Sequence, residues 1–143
     1  MHSKQKGTLA ETKVTSDLYQ KGFYVAKPID DLTPFDLICI DKFYNLYKVQ
    51  VKYCKLNDGK IVLNLRRCMS NKNLSYNKIY QLNEVDVFAL YCHDTDECFY
   101  VKSDVLDKCK ATFNLRITKP LNNNRNNIHF KKDYTDFPVN TNV

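Results

Sequence analysis

A chain of 143 residues with 43% hydrophobic content is long enough to bury a sizeable core, and it is expected to form one domain over residues 1–143. Its net charge of +6 favours an anionic partner. No apolar run approaches membrane-spanning length and no N-terminal stretch resembles a signal peptide, so no membrane partner is expected and the setting is read as cytoplasmic and reducing.

The charge is unevenly placed. Between Lys48 and Tyr80 the cationic residues Lys48, Lys52, Lys55, Lys60, Arg66, Arg67, Lys72 and Lys78 face Asp58 alone. Such a block suits a polyanion. The six cysteines form no CxxC pair, so a zinc site finds little support. Cys39, Cys92 and Cys98 lie in apolar runs, where a thiol packs as a small hydrophobe.

In chain order, residues 8–21 predict a helix. Thr8 is the expected cap, Glu11 completes a capping box, and Gly22 stops the helix. Ala10, Val14 and Leu18 form its buried stripe, with Glu11 at the edge of that stripe. A first strand runs from Phe23 to Lys27 and ends at Pro28. Two strands follow, 35–40 and 46–53, joined by the polar turn Asp41–Asn45. Asn57-Asp58-Gly59 is a strong turn signal before a strand over 60–66. Residues 68–77 read as a polar loop. Strands are expected at 85–92 and 97–102, then a short helix capped by Ser103 or Asp104, and a last strand over 113–118. Residues 118–143 form an Asn-rich, irregular C-terminal arm. This order predicts an α+β fold, with a mixed central β-sheet flanked by helices.

The central pair of strands carries the chemistry. If its turn centres near residue 43, Asp36 lies opposite Gln50, and Gln50 and Lys52 share a face. A carboxylate, an amide and an ammonium then converge. Phosphodiester hydrolysis needs hard oxygen ligands for a metal, an activated water and stabilisation of developing negative charge. Asp36 and the Gln50 amide oxygen supply such ligands, and the Val51 carbonyl is a further candidate. Lys52 orients water or neutralises the transition state, and Glu11 adds a second carboxylate, directly or through water.

Pro34-Phe35-Asp36, then Gln50-Val51-Lys52 on the next strand, with Glu11 on an upstream helix, resembles the PD-(D/E)XK nuclease superfamily. More narrowly it resembles the branch containing a cyanobacterial group I intron homing endonuclease, where glutamine takes the acidic place before the lysine. Gly7-Thr8-Leu9-Ala10-Glu11, Asn64-Leu65-Arg66-Arg67 and Leu115-Arg116-Ile117 with the Asn122–Asn127 run extend the likeness. The resemblance implies a restriction-endonuclease-like core. It implies a Mg²⁺-dependent (or Mn²⁺-dependent) endonuclease acting on double-stranded DNA, and a homo-oligomer, dimer or tetramer. Glu11, Asp36, Gln50 and Lys52 are its expected catalytic residues. A restriction enzyme or Holliday-junction resolvase would use the same residues. Because Gln50 removes one formal charge, a non-catalytic DNA-binding module is the alternative of a different class.

For DNA contact, Lys60, Lys72, Lys78, Lys131 and Lys132 suit phosphates, while Asn64, Arg66, Arg67 and Asn71 suit base edges. The strand pair 46–53 and 60–66 is expected to form the ribbon that presents them. Arg116 and Arg125 are second candidates in the C-terminal part.

Overall fold

The computed structural model describes residues 1–65, 84–109, 111–119 and 128–140. Helix α1 (Ser3–Gln20) leads into strands β1 (Tyr24–Ala26), β2 (Leu37–Ile40), β3 (Leu46–Cys54) and β4 (Lys60–Asn64). Then come β5 (Val87–Cys92), β6 (Glu97–Lys102), the single-turn α2 (Ser103–Asp107), β7 (Thr112–Arg116) and β8 (His129–Phe130). A main sheet has the order β1-β2-β3-β5-β6, and a smaller one the order β4-β7-β8. In the main sheet β3 and β5 run parallel and the other neighbours antiparallel, so the mixed α+β arrangement expected from the sequence is the one found.

Helix α1 starts five residues before the expected Thr8. The His2 ring accepts from the Lys4 N–H at 3.3 Å and the Gln5 amide oxygen accepts from the His2 N–H at 2.9 Å, so the capping box belongs to His2 and Gln5. Thr8 is inside the helix, its hydroxyl donating to the Lys4 carbonyl. One interior glycine, Gly7, costs about 1 kcal/mol, too little to stop a helix that is capped upstream. At the other end the expectation holds. Gly22, at φ +88°, lets the N–H groups of Gly22 and Phe23 reach the carbonyls of Tyr19 and Leu18.

Two apolar layers enclose the main sheet. Ala10, Val14 and Leu18, all fully buried, press onto Leu37, Cys39 and Val49 on one face. On the other face Phe88, Leu90 and Cys92 meet Ile61 and Leu63 of β4 and Phe113 and Leu115 of β7. Strand β5 is buried along its whole length because it has a layer on each side. No helix among the described residues is long and apolar enough to cross a membrane.

The smaller sheet corrects one expectation. Strand β4 pairs with β7, with Lys60 opposite Arg116 and Asn64 opposite Thr112, and not with β3. The tight turn Asn57–Lys60, with Asp58 and Gly59 both at positive φ, sends the chain into the second layer. There the alternating Ile61 and Leu63 find a core. Helix α2 is also capped differently: Lys102 occupies the cap position without a side-chain bond, and the Ser103 hydroxyl donates to the Asp86 carbonyl.

Gly59 joins the two strands of the smaller sheet, its carbonyl accepting from the N–H groups of Ile117 and Thr118. A Cβ at this position would overlap the Thr118 hydroxyl, and φ is +73°. Gly59→Ala is expected to destabilise the protein by about 1–3 kcal/mol in urea denaturation, with Gly7→Ala neutral or stabilising as the control.

Candidate active site

The site is set by the hairpin of β2 and β3. Its turn is organised by Asp41, only 5% exposed, whose carboxylate accepts from the N–H groups of Phe43 and Asn45, the Asn45 amide and the Tyr47 hydroxyl. Burial pushes the Asp41 carboxyl up, but these hydrogen bonds outweigh it and hold the group below its ordinary value. Tyr44 takes the left-handed conformation that closes a three-residue hairpin loop. The pairs Leu37–Val49 and Ile40–Leu46 follow, both equidistant from residue 43 as the sequence reading required.

This register carries past the end of β2. The Asp36 N–H donates to the Val49 carbonyl at 2.9 Å, and the Asp36 carboxylate accepts from the Val51 N–H at 2.8 Å. Asp36 is thereby fixed against the Gln50-Val51-Lys52 stretch. The Val51 N–H faces the β2 edge, and in a strand the carbonyl of a residue faces the same edge as its N–H, so the Val51 carbonyl opens toward Asp36. Gln50 and Lys52 alternate with Val49 and Val51 and lie on the face away from α1. The Gln50 Oε1 atom is buried and has no hydrogen-bond partner among the described residues. A buried amide oxygen without a donor costs about 1–3 kcal/mol unless something cationic or protic meets it.

Glu11 reaches the same place from α1. It forms an ion pair with Lys27, the residue after β1, and its side chain is 24% exposed against 62% for Lys27. Burial pushes the Asp36 carboxyl above its ordinary 3.8; the Val51 N–H bond lowers it, the Glu11 charge raises it, and Lys52 and Lys27 lower it. Hence Glu11, Asp36, Lys52 and Lys27 form one electrostatic group, with Gln50 beside it. The Lys27 ammonium is raised by its hydrogen bond to Glu11, against desolvation, and by the charges of Glu11, Asp36 and Asp31.

Lys27 escaped the sequence reading. Strand β1 pairs with β2 so that Ala26 faces Ile38, which brings Lys27 to the Asp36 end of the sheet. Only a prediction of that pairing would have found it, since Lys27-Pro28 reads locally as a strand terminus. The described residues contain no cluster of three His, Cys, Asp or Glu side chains able to hold a metal. Hard oxygen donors of the kind Mg²⁺ and Mn²⁺ favour lie along this stretch: the Asp36 carboxylate held by the Val51 N–H, the buried Gln50 amide oxygen, and the Glu11 carboxylate whose charge acts on Asp36.

The candidate DNA contacts divide. Lys60 and Asn64 on β4, and Arg116 on β7, share the outward face of the smaller sheet with Val62 and Asn114. The Arg116 guanidinium donates to the Asp58 carbonyl at 2.8 Å. Lys131 bonds Glu97 at 3.2 Å. Arg66, Arg67, Asn71, Lys72, Lys78 and Arg125 lie outside the described residues.

A helix over a mixed sheet, with an acidic residue where one strand begins and a lysine two positions after its partner on the next strand, defines a nuclease core. The family model for the PD-(D/E)XK endonuclease matches residues 1–137, and the chain belongs to that family. Among solved structures it is similar to the bacterial homing endonuclease I-Ssp6803I, with 24% identity, a TM-score of 0.72 and coverage of 89% of this chain and 86% of that one. It also matches Hjc, a Holliday junction resolvase from Archaeoglobus fulgidus, at 14% identity and a TM-score of 0.47 over 78% of this chain and 84% of that one. No curated protein matches by sequence.

The raised Asp36 carboxyl has a consequence for stability. A carboxyl whose folded-state pKa exceeds its unfolded value favours the fold fully below the unfolded value, 3.8, and loses that contribution as pH rises through the folded value. Asp36→Asn is expected to be more stable than the wild type at pH 7, by on the order of 1 kcal/mol. The gain should vanish below pH 3.8, as read by urea denaturation across pH.

Proposed function

We propose that this protein is a metal-dependent, sequence-specific double-strand DNA endonuclease of the homing type, with Glu11, Asp36, Gln50 and Lys52 as its catalytic residues. The carrying observation is that the Asp36 carboxylate, held by the Val51 N–H at 2.8 Å, lies within the charge of both Glu11 and Lys52, beside a buried Gln50 oxygen that has no donor among the described residues. That orphaned oxygen is the test of fit for a cation: a hard ion meets its unmet need, as a hydrophobic neighbour would not. Asp36, Gln50 and the Val51 carbonyl would hold Mg²⁺ or Mn²⁺, with Glu11 joining directly or through water. Bound there, the ion would act as a Lewis acid on the scissile phosphate and lower the pKa of a water.

The chain's own groups supply the rest. Lys52, an ammonium on the same strand face as Gln50, neutralises negative charge that builds on the phosphate in the transition state. The Val51 N–H keeps the Asp36 carboxylate aimed while substrate binds. The likeness to a bacterial homing endonuclease supports the homing type over a restriction or junction-resolving role. Two symmetry-related sites cut two antiparallel strands most simply, so a homo-oligomer, dimer or tetramer, goes with this reading. Exposed Phe43, Tyr44 and Leu46 at the hairpin tip supply apolar surface for it. A DNA substrate accords with an intracellular, reducing location.

The outward face of β4 and β7 is the proposed reading surface, since a two-stranded ribbon fits the major groove. Lys60 is assigned to phosphate, Asn64 and Arg116 to base edges. The same roles extend to Arg66, Arg67, Asn71, Lys72, Lys78 and Arg125 by their chemistry.

Long duplex DNA with Mg²⁺ is expected to give discrete cuts. Lys52→Ala should slow cutting by at least about 10²-fold while leaving duplex binding intact. Unchanged cutting removes Lys52 from the mechanism, and binding without any cutting by the wild type leaves the non-catalytic module. For the ribbon, Lys60→Ala should weaken binding on all sequences and reduce the salt slope by about 1. Asn64→Ala should cost about 1–3 kcal/mol on the target site alone, measured by titration of target and scrambled duplexes.

A further inference from the structure

The Lys27–Glu11 pair is left over when the roles above are assigned. Its two members come from different elements, the end of β1 and the middle of α1, and Lys27 is the more exposed of the two. A partly exposed pair of this kind adds little to stability. Its position is the informative feature, because the β1–β2 register brings Lys27 to the Asp36 end of the sheet, where it pairs with Glu11. A cation ligated by Glu11 would meet the Lys27 ammonium at the same oxygen and be repelled by it.

We infer that Lys27 is a positioning residue that holds the Glu11 carboxylate toward Asp36 and competes with a divalent cation for it. This rests on the reading of Glu11 and Asp36 as metal ligands. It sets the cation affinity of the site: the ammonium keeps two neighbouring carboxylates from repelling each other, and yields Glu11 to an ion of higher charge. Released, the long exposed side chain of Lys27 is free to meet a DNA phosphate beside the site. The site is thereby tuned to load its cation most readily when a polyanion is present to take up the displaced ammonium.

The test uses the full chain and Mn²⁺ alone, without DNA, by isothermal titration. Lys27→Met is expected to bind Mn²⁺ about two- to fivefold more tightly than the wild type, the range that loss of one partly exposed ion pair allows. Lys27→Arg should restore the wild-type value, and the gain should shrink in a Glu11→Gln background. A purely structural role would weaken binding or leave it unchanged, and either result for Lys27→Met overturns the inference, as does a gain that persists in full with Glu11→Gln. If the wild type cuts DNA and binds Mn²⁺ while Lys27→Met matches it, only this inference fails. If the wild type binds no Mn²⁺ and cuts no DNA with it, the metal-dependent reading fails as well. Melting curves of each variant check that all are folded, as the exposure of Lys27 leads one to expect.

Discussion

The pairing register of β2 and β3 is the constraint on which the site depends. A slip of one residue would send Gln50 and Lys52 to the α1 face and Val49 and Val51 out of it. Three features prevent the slip. Asp41 gathers four donors at the turn and fixes which residues form the loop. Leu37, Cys39, Tyr47 and Val49 bury against α1 only in this register. Strand β5 then pairs along β3 from Val49 to Cys54, holding the segment that carries Gln50 and Lys52 on its second edge. The chemistry-bearing end is thus positioned by packing that lies largely outside it.

The hairpin was legible because its signals are local. Alternation set the faces, the polar turn set the centre, and simple symmetry about residue 43 then set Asp36 against Gln50. The buried stripe of α1 was legible for the same reason, since Ala10, Val14 and Leu18 follow the helix period. What escaped depends on pairing between distant segments. Nothing near Lys60 says that β4 will meet β7, more than fifty residues on, and not the strand before it. Nothing near Lys27 says that β1 lies beside β2. The helix start was misjudged for a different reason: Thr8 and Glu11 fit the letters of a capping box, but His2 and Gln5 fit its geometry. A histidine cap is a weaker sequence signal than a threonine.

The second layer explains how a cationic strand can carry a site without being exposed on both sides. Cys54, on the same face of β3 as Gln50 and Lys52, joins the core under β4 and β7. Gln50 and Lys52 are only partly covered. The apolar layer therefore covers one end of that face and leaves the polar residues at the other. Glu11 and Lys27 approach the Asp36 end from the α1 side, where the helix stripe gives way to its edge.

That end is also where the chain departs from the rules that hold elsewhere in it. Asp36 is a carboxylate held where burial opposes its charge, Gln50 has a buried oxygen with no donor among the described residues, and a lysine sits on a face that otherwise packs. Each is unfavourable taken singly, and a fold selected for stability alone would replace them with apolar side chains. Their coincidence within one strand register is not what random surface polarity produces, because the departures complement one another: two carboxylates, two ammonium groups and one unmet acceptor. A structural salt-bridge network would satisfy its own members and leave no acceptor over. Here one acceptor is left over among the described residues, the Gln50 oxygen, a place that a protic or cationic group would fill.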